Sequence, residues 1–464
     1  MHLLVIENAD WLVTMDADRR LIKNGTIVVE DDRIVAVGKA SQDTPYRTPD
    51  KVIDARGKVV FPGLIDSHIH HSLQLGRGLA DETNPIRFLY DRMYPLESNL
   101  SEEDAYIGAL LCQLDCIRAG TTCVIDAGNY FPDATLRAFA TSGMRGVVAR
   151  SAFDIPGSTL GTLPGKTFNE TTEVALARCE EFISRTQGAC DGRVRSWLQL
   201  RVLPNCSDEL CIGLKKLTDR LGVQYQAHAA FCKEVYEASE TQFGKSEIRR
   251  LHDLGLLGPN LLLAHVGWLT PPDMRLLIES RTNVVLCPTS SLHHALGSIL
   301  FGHIPELIEM GVNVSLGTDG GPHGTNDMVR QMFVTAGGYK EARLNAKVMP
   351  PETVLEMATI GGAKAANWQN EIGSLETGKK ADITIFDAAR PEWRPLHNPA
   401  ASITYFANGN TAHTVLVNGR ILMEAGRITF VDEQQVLEEA QKRAVAVAQR
   451  GGVLHFGRPV WPVI

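Results

Sequence analysis

Five polar residues that can hold a metal or move a proton stand at the ends of apolar segments. The run 58–65 is apolar and rich in β-branched residues, and it leads into Asp66-Ser67-His68-Ile69-His70. It reads as a buried strand. Residues at i and i+2 of a strand share a face, so His68 and His70 can grip one ion together. The segment 222–228 ends in His228, 260–265 ends in His265, and 312–318 runs into Asp319. Neutral imidazoles with one carboxylate suit Zn²⁺ or Fe²⁺ better than Mg²⁺ or Ca²⁺. A divalent cation held there activates water near neutral pH for attack on an electron-poor ring carbon. Asp319 is placed to accept the water's proton, which must then reach the leaving group.

Such residues need a scaffold that brings strand ends together. From residue 59 onward, strand-like segments alternate with amphipathic ones. The candidate strands are 59–67, 121–127, 146–153, 194–203, 222–228, 260–265, 283–287 and 312–318. The helical stretches between them include 101–119, 172–186, 247–257, 271–280 and 304–310. Eight such alternations match an α/β fold of the (β/α)₈ TIM type, in which functional groups gather at the carboxyl ends of the strands. His68, His70, His228, His265 and Asp319 would then converge on one mouth. A doubly wound open sheet is the rival, but it lacks support from a glycine-rich dinucleotide turn.

The flanks read differently. Residues 1–58 hold short strands at 3–6, 11–15, 26–29 and 33–37, and strands return at 382–386, 413–417 and 420–423, the last two joined by the hairpin signal Asn418-Gly419. The expected organisation is a small β-sandwich domain built from 1–58 together with 378–430. A metal-dependent barrel would span 59–377, and 431–464 would form a C-terminal helix and tail. Of 464 residues, 44% are hydrophobic and 22% charged, with a formal charge of −8. This balance fits a soluble globular protein and argues against nucleic acid or an anionic membrane as partner. No apolar run reaches the roughly 18 residues of a membrane span. The opening residues lack the basic and apolar regions of a signal peptide. Nine scattered cysteines, an odd count without a CxxC pair, point to a reduced, cytoplasmic setting. The expected partner is a small molecule, and the expected assembly a homodimer or higher homo-oligomer.

The chain resembles the amidohydrolase superfamily, in particular its cytosine-deaminase-like branch, which includes methylthioadenosine/adenosylhomocysteine deaminases, guanine deaminases and triazine hydrolases. The resemblance rests on 61–70, Leu75-Gly76-Arg77-Gly78, Ala119-Gly120-Thr121-Thr122, Leu263-Ala264-His265, Cys287-Pro288-Thr289-Ser290, Leu316-Gly317-Thr318-Asp319-Gly320 and 372–382. It implies one metal held by His68, His70, His228 and Asp319, with His265 beside the metal in contact with substrate or water. It also implies hydrolysis of a nitrogen heterocycle, foremost removal of an amino group.

The sequence departs from that pattern at two places. Relatives usually carry His-x-x-Glu after strand five, the Glu shuttling the proton; here the stretch is His228-Ala229-Ala230-Phe231. Many also carry a second histidine three residues beyond the strand-six histidine, where this chain has Trp268. Phe231 cannot transfer a proton. Phe231 and Trp268 either stack on a flat ring or fill the core. His323, four residues beyond Asp319, is the first candidate to replace the relay. Glu234 and Glu237 are alternatives, or else solvated helix residues. His293 and His294 follow strand seven, as loop packing or substrate contacts. Arg77 either binds a substrate anion or makes a structural salt bridge. Two other functions remain open at this point. One is hydrolysis of a ring amide, a carbamoyl-type bond or an aromatic C–halide bond, the last needing no protonated leaving group. The other is a catalytically silent metal-binding relative.

Overall fold

The strand ends carrying the histidines and Asp319 meet because eight parallel strands close on themselves. The computed structural model describes residues 2–39, 48–165 and 168–463. Five strands come first: β1 (Leu3–Val13), β2 (Leu21–Glu30), β3 (Arg33–Lys39), β4 (Lys51–Asp54) and β5 (Lys58–Pro62). The barrel starts with β6 (Leu64–Ile69), β7 (Thr121–Asp126) and β8 (Arg145–Ala152). A small hairpin, β9 (Gly157–Ser158) and β10 (Gly161–Thr162), interrupts it. It continues with β11 (Val194–Val202), β12 (Tyr225–Ala229), β13 (Leu261–His265), β14 (Asn283–Leu286) and β15 (Val314–Leu316). The order is β15-β14-β13-β12-β11-β8-β7-β6, each neighbour parallel.

Closure between the first and last strands happens at the functional end. Ile69 forms a parallel bridge with Asp319, Asp319 N–H donates to the His68 carbonyl at 2.8 Å, and His70 N–H donates to the Asp319 carbonyl at 3.3 Å. The buried Asp66 carboxylate clamps the same seam, accepting from His68 N at 3.1 Å, Thr318 N at 3.0 Å and Thr318 Oγ1 at 2.5 Å. Gly317 lets the strands approach, since a Cβ there would lie 2.8 Å from the His68 Cβ. Below the ligands, Ile65, Cys123, Val147, Trp197, Leu262 and Val285 pack together and fill the barrel interior.

One boundary differs from the expectation. The run 59–67 is two strands broken at Gly63: β5 pairs with β1, and β6 alone enters the barrel. A side chain at 63 would collide with Thr122, its Cβ 2.0 Å from Oγ1, so the chain can pass from one sheet to the other there only with glycine. Likewise, the expected strands 3–6 and 11–15 merge into the single strand β1, which stops at Val13 and whose pairing with β2 shifts register between Ile6 and Ala9, where Asn8 adopts φ 60°.

The second sheet draws on both ends of the chain. After the barrel come β16 (Ile383–Asp387), β17 (Ala412–Val417), β18 (Arg420–Glu424) and β19 (Arg427–Ile428). The sheet runs β19-β18-β17-β16-β5-β1-β2-β3, with β4 also on β1. Its strands therefore form one continuous hydrogen-bonded sheet. Leu4, Ile6, Leu12, Ile27 and Val60 share a core with Ile383, Ile385 and Leu416. Buried Arg145 on β8 binds Asp382 bidentately at 2.7 and 3.1 Å, tying sheet to barrel. The helix Glu433–Arg450 lies on helix Glu102–Arg118, with Arg443 and Arg450 both on Asp104. Among the described residues, no helix is long and apolar enough to cross a membrane.

Candidate active site

The ends of β6, β12, β13 and β15 bring His68, His70, His228, His265 and Asp319 into one buried cluster. His68 Nε2 lies 3.3 Å and His70 Nε2 3.4 Å from Asp319 Oδ1. The His70 and His228 Nε2 atoms are 3.3 Å apart. Tetrahedral ligands at metal–nitrogen distances near 2.05 Å stand about 3.3 Å from one another. The His68–Asp319, His70–Asp319 and His70–His228 separations match that value, and the potential ligand atoms form two groups that share Asp319: His68, His228 and His265 with Asp319, and His70 and His323 with Asp319. His68 Nε2 and Asp319 Oδ1 are also buried with no hydrogen-bond partner, as donor atoms reserved for an ion would be. The His265 ring centroid is 5.5 Å from those of both His68 and His228.

Electrostatics agree with the geometry. Burial pushes His70 and His228 well below the usual imidazole range and His265 down to about 4, so their lone pairs are free at neutral pH. Burial works to raise the Asp319 pKa, but the His323 ring and the close approach of the His68 and His70 nitrogens outweigh it and hold the carboxyl well below its usual range. His70, His228 and His265 are thus neutral nitrogens gathered beside one anion. His228 Nδ1 lies 2.5 Å from the Arg201 carbonyl, which can only accept, and 3.0 Å from the Gln199 amide nitrogen; the shorter contact favours a proton on Nδ1, which leaves the Nε2 lone pair facing the cluster. Ser290 Oγ donates to Asp319 Oδ2 at 2.6 Å.

The other anticipated residues fall into two groups. Phe231 and His323 line the cavity above the cluster, the Phe231 ring 5.8 Å from that of His265. His294 is buried directly behind His323, Nε2 to Nδ1 at 3.2 Å. The rest lie outside the lining. Trp268 donates from Nε1 to the Leu296 carbonyl at 2.8 Å and packs on Phe301, so it reaches the cavity through Leu296. His293 sits 2.9 Å from Asp81 at the surface. The partly exposed Arg77 pairs with Asp115 at 2.5 Å. Glu237 pairs with Lys233 on an exposed helix face, and Glu234 is outside the lining as well.

Arg201, Phe88 and Tyr94 also line the cavity and were not singled out from the sequence. Arg201 follows Trp197 and Gln199 at two-residue spacing on β11, and its guanidinium binds buried Glu97. A charged residue two places beyond an inward-facing glutamine was the available signal. Phe88 and Tyr94 come from the short helical run 85–97 between β6 and β7, which was not recognised as an element in the sequence. Asp319 is the one carboxylate among the described residues of the cavity wall.

Comparison with known proteins places this site in context. The sequence pattern of the amidohydrolase family matches residues 59–422. A 5′-deoxyadenosine deaminase of Methanosarcina mazei is 35% identical over 448 residues, 96% of this chain and 99% of the relative. A 5-methylthioadenosine/S-adenosylhomocysteine deaminase of Thermoanaerobacter pseudethanolicus is 32% identical, covering 96% and 100%. Among solved structures, an adenosine deaminase from Xanthomonas campestris with bound zinc superposes with a TM-score of 0.88 at 25% identity, covering 96% and 98%.

Proposed function

The chain belongs to the amidohydrolase family, and from that premise we propose that it hydrolytically deaminates a small nitrogen heterocycle at a single divalent metal. The observation that carries this is the close spacing of the His68, His70, His228 and Asp319 donor atoms at the barrel's closing seam. We further assign these four as ligands. Zn²⁺ is the first choice and Fe²⁺ the alternative, since a set of neutral imidazoles and one carboxylate accepts either. When bound, the ion supplies Lewis-acid activation of water.

The chain's own groups supply the rest. Asp319 faces the ligand cluster through Oδ1 and receives Ser290 on Oδ2, and it takes the proton from the attacking water. His265 orients water or substrate from the adjoining strand. His323 Nδ1 lies 3.8 Å from Asp319 Oδ2, so His323, outside the four assigned ligands, is the proton-handling group assigned here once Phe231 occupies the place of an acid. Phe88, Tyr94 and Phe231 offer flat walls for a ring. The same proposal includes a homo-oligomer and a cytoplasmic setting. Exposed Leu300, Phe301 and Phe333 are surfaces a second copy would cover, and nine free cysteines suit a reducing compartment.

Phe231 also supports a second reading, hydrolysis of a bond whose leaving group departs without protonation, such as an aromatic halide. A panel of aminated, amidic and halogenated heterocycles, starting with 5′-deoxyadenosine, separates the two. Ammonia release with a kcat/KM well above that for the halogenated analogues is expected. Halide release alone would replace the first reading by the second. A fully metallated protein inert to the whole panel would mark a silent relative.

A further inference from the structure

Three rings stand in a row that runs outward from the cavity wall. Phe88, His294 and His293 stack with centroid spacings of 4.2 and 4.5 Å, each pair tilted by 10°. His293 is anchored at the outer end by Asp81, 2.9 Å from its Nε2. The middle ring, His294, is buried, and its Nε2 lies 3.2 Å from Nδ1 of His323. Phe88 also meets His323 edge-on, at 5.1 Å and 78°. His323 is therefore held by a hydrogen bond on one side and by an aromatic ring on another. Among the described residues, its Nε2 has no hydrogen-bond partner.

We propose that His294 is a positioning residue for His323, fixing the orientation and tautomer with which His323 presents Nε2 to the substrate. This rests on the reading of His323 as the proton-handling group. A single proton occupies the bond between the two neutral rings. If His294 Nε2–H donates, His323 carries its own proton on Nε2; if His323 Nδ1–H donates, Nε2 is bare. Either arrangement leaves His323 in one defined state, because the nitrogen engaged by a partner decides the protonation of the other. The stack fixes the plane of His294, and burial, which pushes its pKa down to about 2, keeps it neutral. Asp81 and Phe88 both lie in the chain between β6 and β7, so the segment that covers the cavity also clamps the ring that orients His323.

Two substitutions separate the hydrogen bond from the packing. His294→Phe keeps a ring in the stack and removes the bond, whereas His294→Gln keeps a hydrogen-bonding group at the site. Zinc-loaded full-length protein labelled with ¹⁵N-histidine reports ring tautomers by long-range ¹⁵N–¹H correlation, with the His323 signals assigned from His323→Ala. One neutral tautomer of His323 is expected in the unsubstituted protein and in His294→Gln, and a mixture in His294→Phe. With 5′-deoxyadenosine as probe, His294→Phe should lower kcat by roughly 10- to 100-fold, the range typical of partners that orient a functional histidine. KM and zinc content should hold, and His294→Gln should recover most of the loss. An unchanged His323 spectrum in His294→Phe overturns the positioning role, even if His323→Ala still lowers kcat and the reading of His323 stands. If His323→Ala leaves kcat unchanged, that reading falls and this inference falls with it.

Discussion

His68 and Asp319 face each other across the seam that closes the barrel, and each is expected to be indispensable for a different reason. His68→Ala removes one neutral donor and Asp319→Ala the one charged donor. Both should abolish turnover and metal retention while leaving the far-ultraviolet circular dichroism of the barrel unchanged. His323→Ala should retain the metal yet lower turnover by about 10²- to 10⁴-fold, the usual worth of a general acid–base group. Phe231→Glu should not raise turnover of the native substrate, because the ring forms a wall of the cavity beside His265. A sharp rise in deamination in that variant, with no effect of His323→Ala, would show a relay simply lost. His68 and Asp319 stood out in the sequence because each is a polar residue at the end of an apolar strand-like run, whereas His323 and Phe231 were noticed only by their distance from Asp319 and His228. Ser290 and Arg201 gave no comparable signal: one sits in the short helix Pro288–His293 after β14, the other in an ordinary alternating strand. The sequence left Arg77 open between a substrate anion and a salt bridge, and its guanidinium lies on Asp115.

At the scale of elements, the seam between β6 and β15 and the turn after β12 determine where the ligands stand. Gly317→Ala would place a Cβ 2.8 Å from that of His68. It should destabilise the fold by about 1–3 kcal/mol, as overpacking does, and weaken metal retention at the same time, measurable by denaturant titration with and without chelator. Behind the turn after β12, buried Glu247 accepts from Ala230 N–H. Burial raises its pKa from 4.5 to about 8, against the opposing pull of Ala230 N–H and Arg250. Between those values the folded chain holds a proton that the unfolded chain has released, so stability falls as pH rises through the window. The limiting slope is about 1.4 kcal/mol per pH unit. Glu247→Gln should flatten that decline, seen as a smaller loss of Tm between pH 5 and pH 8 (about the range set by these values). Equal pH dependence in both proteins would place the proton elsewhere. The alternation of strands and helices revealed the barrel because periodicity changes visibly at each boundary. It did not reveal the break at Gly63, because β5 and β6 are both apolar and only the partner sheet distinguishes them.

For the whole molecule, the second sheet makes the chain's two ends depend on each other. β5 lies between β1 and β16, so removing residues 381–464 would strip one edge of β5 and expose Val60, Ile6 and their neighbours in the shared core. An unpaired apolar edge of that kind invites aggregation. The truncated protein should be insoluble or readily proteolysed, and a soluble, protease-resistant product would show that the N-terminal strands stand alone. The pairing of both ends was legible because neither contains enough strands to bury a sheet face; its continuity as a single sheet was not, because strand order is decided by contacts far apart in sequence. The central claim is that this barrel is built around one catalytic divalent metal. Elemental analysis of protein purified without chelator, read alongside ammonia release from 5′-deoxyadenosine and the wider panel, tests it most directly. Close to one zinc or iron per chain, lost together with activity in His68→Ala, is the expected result. A metal-free preparation with undiminished turnover would contradict the account.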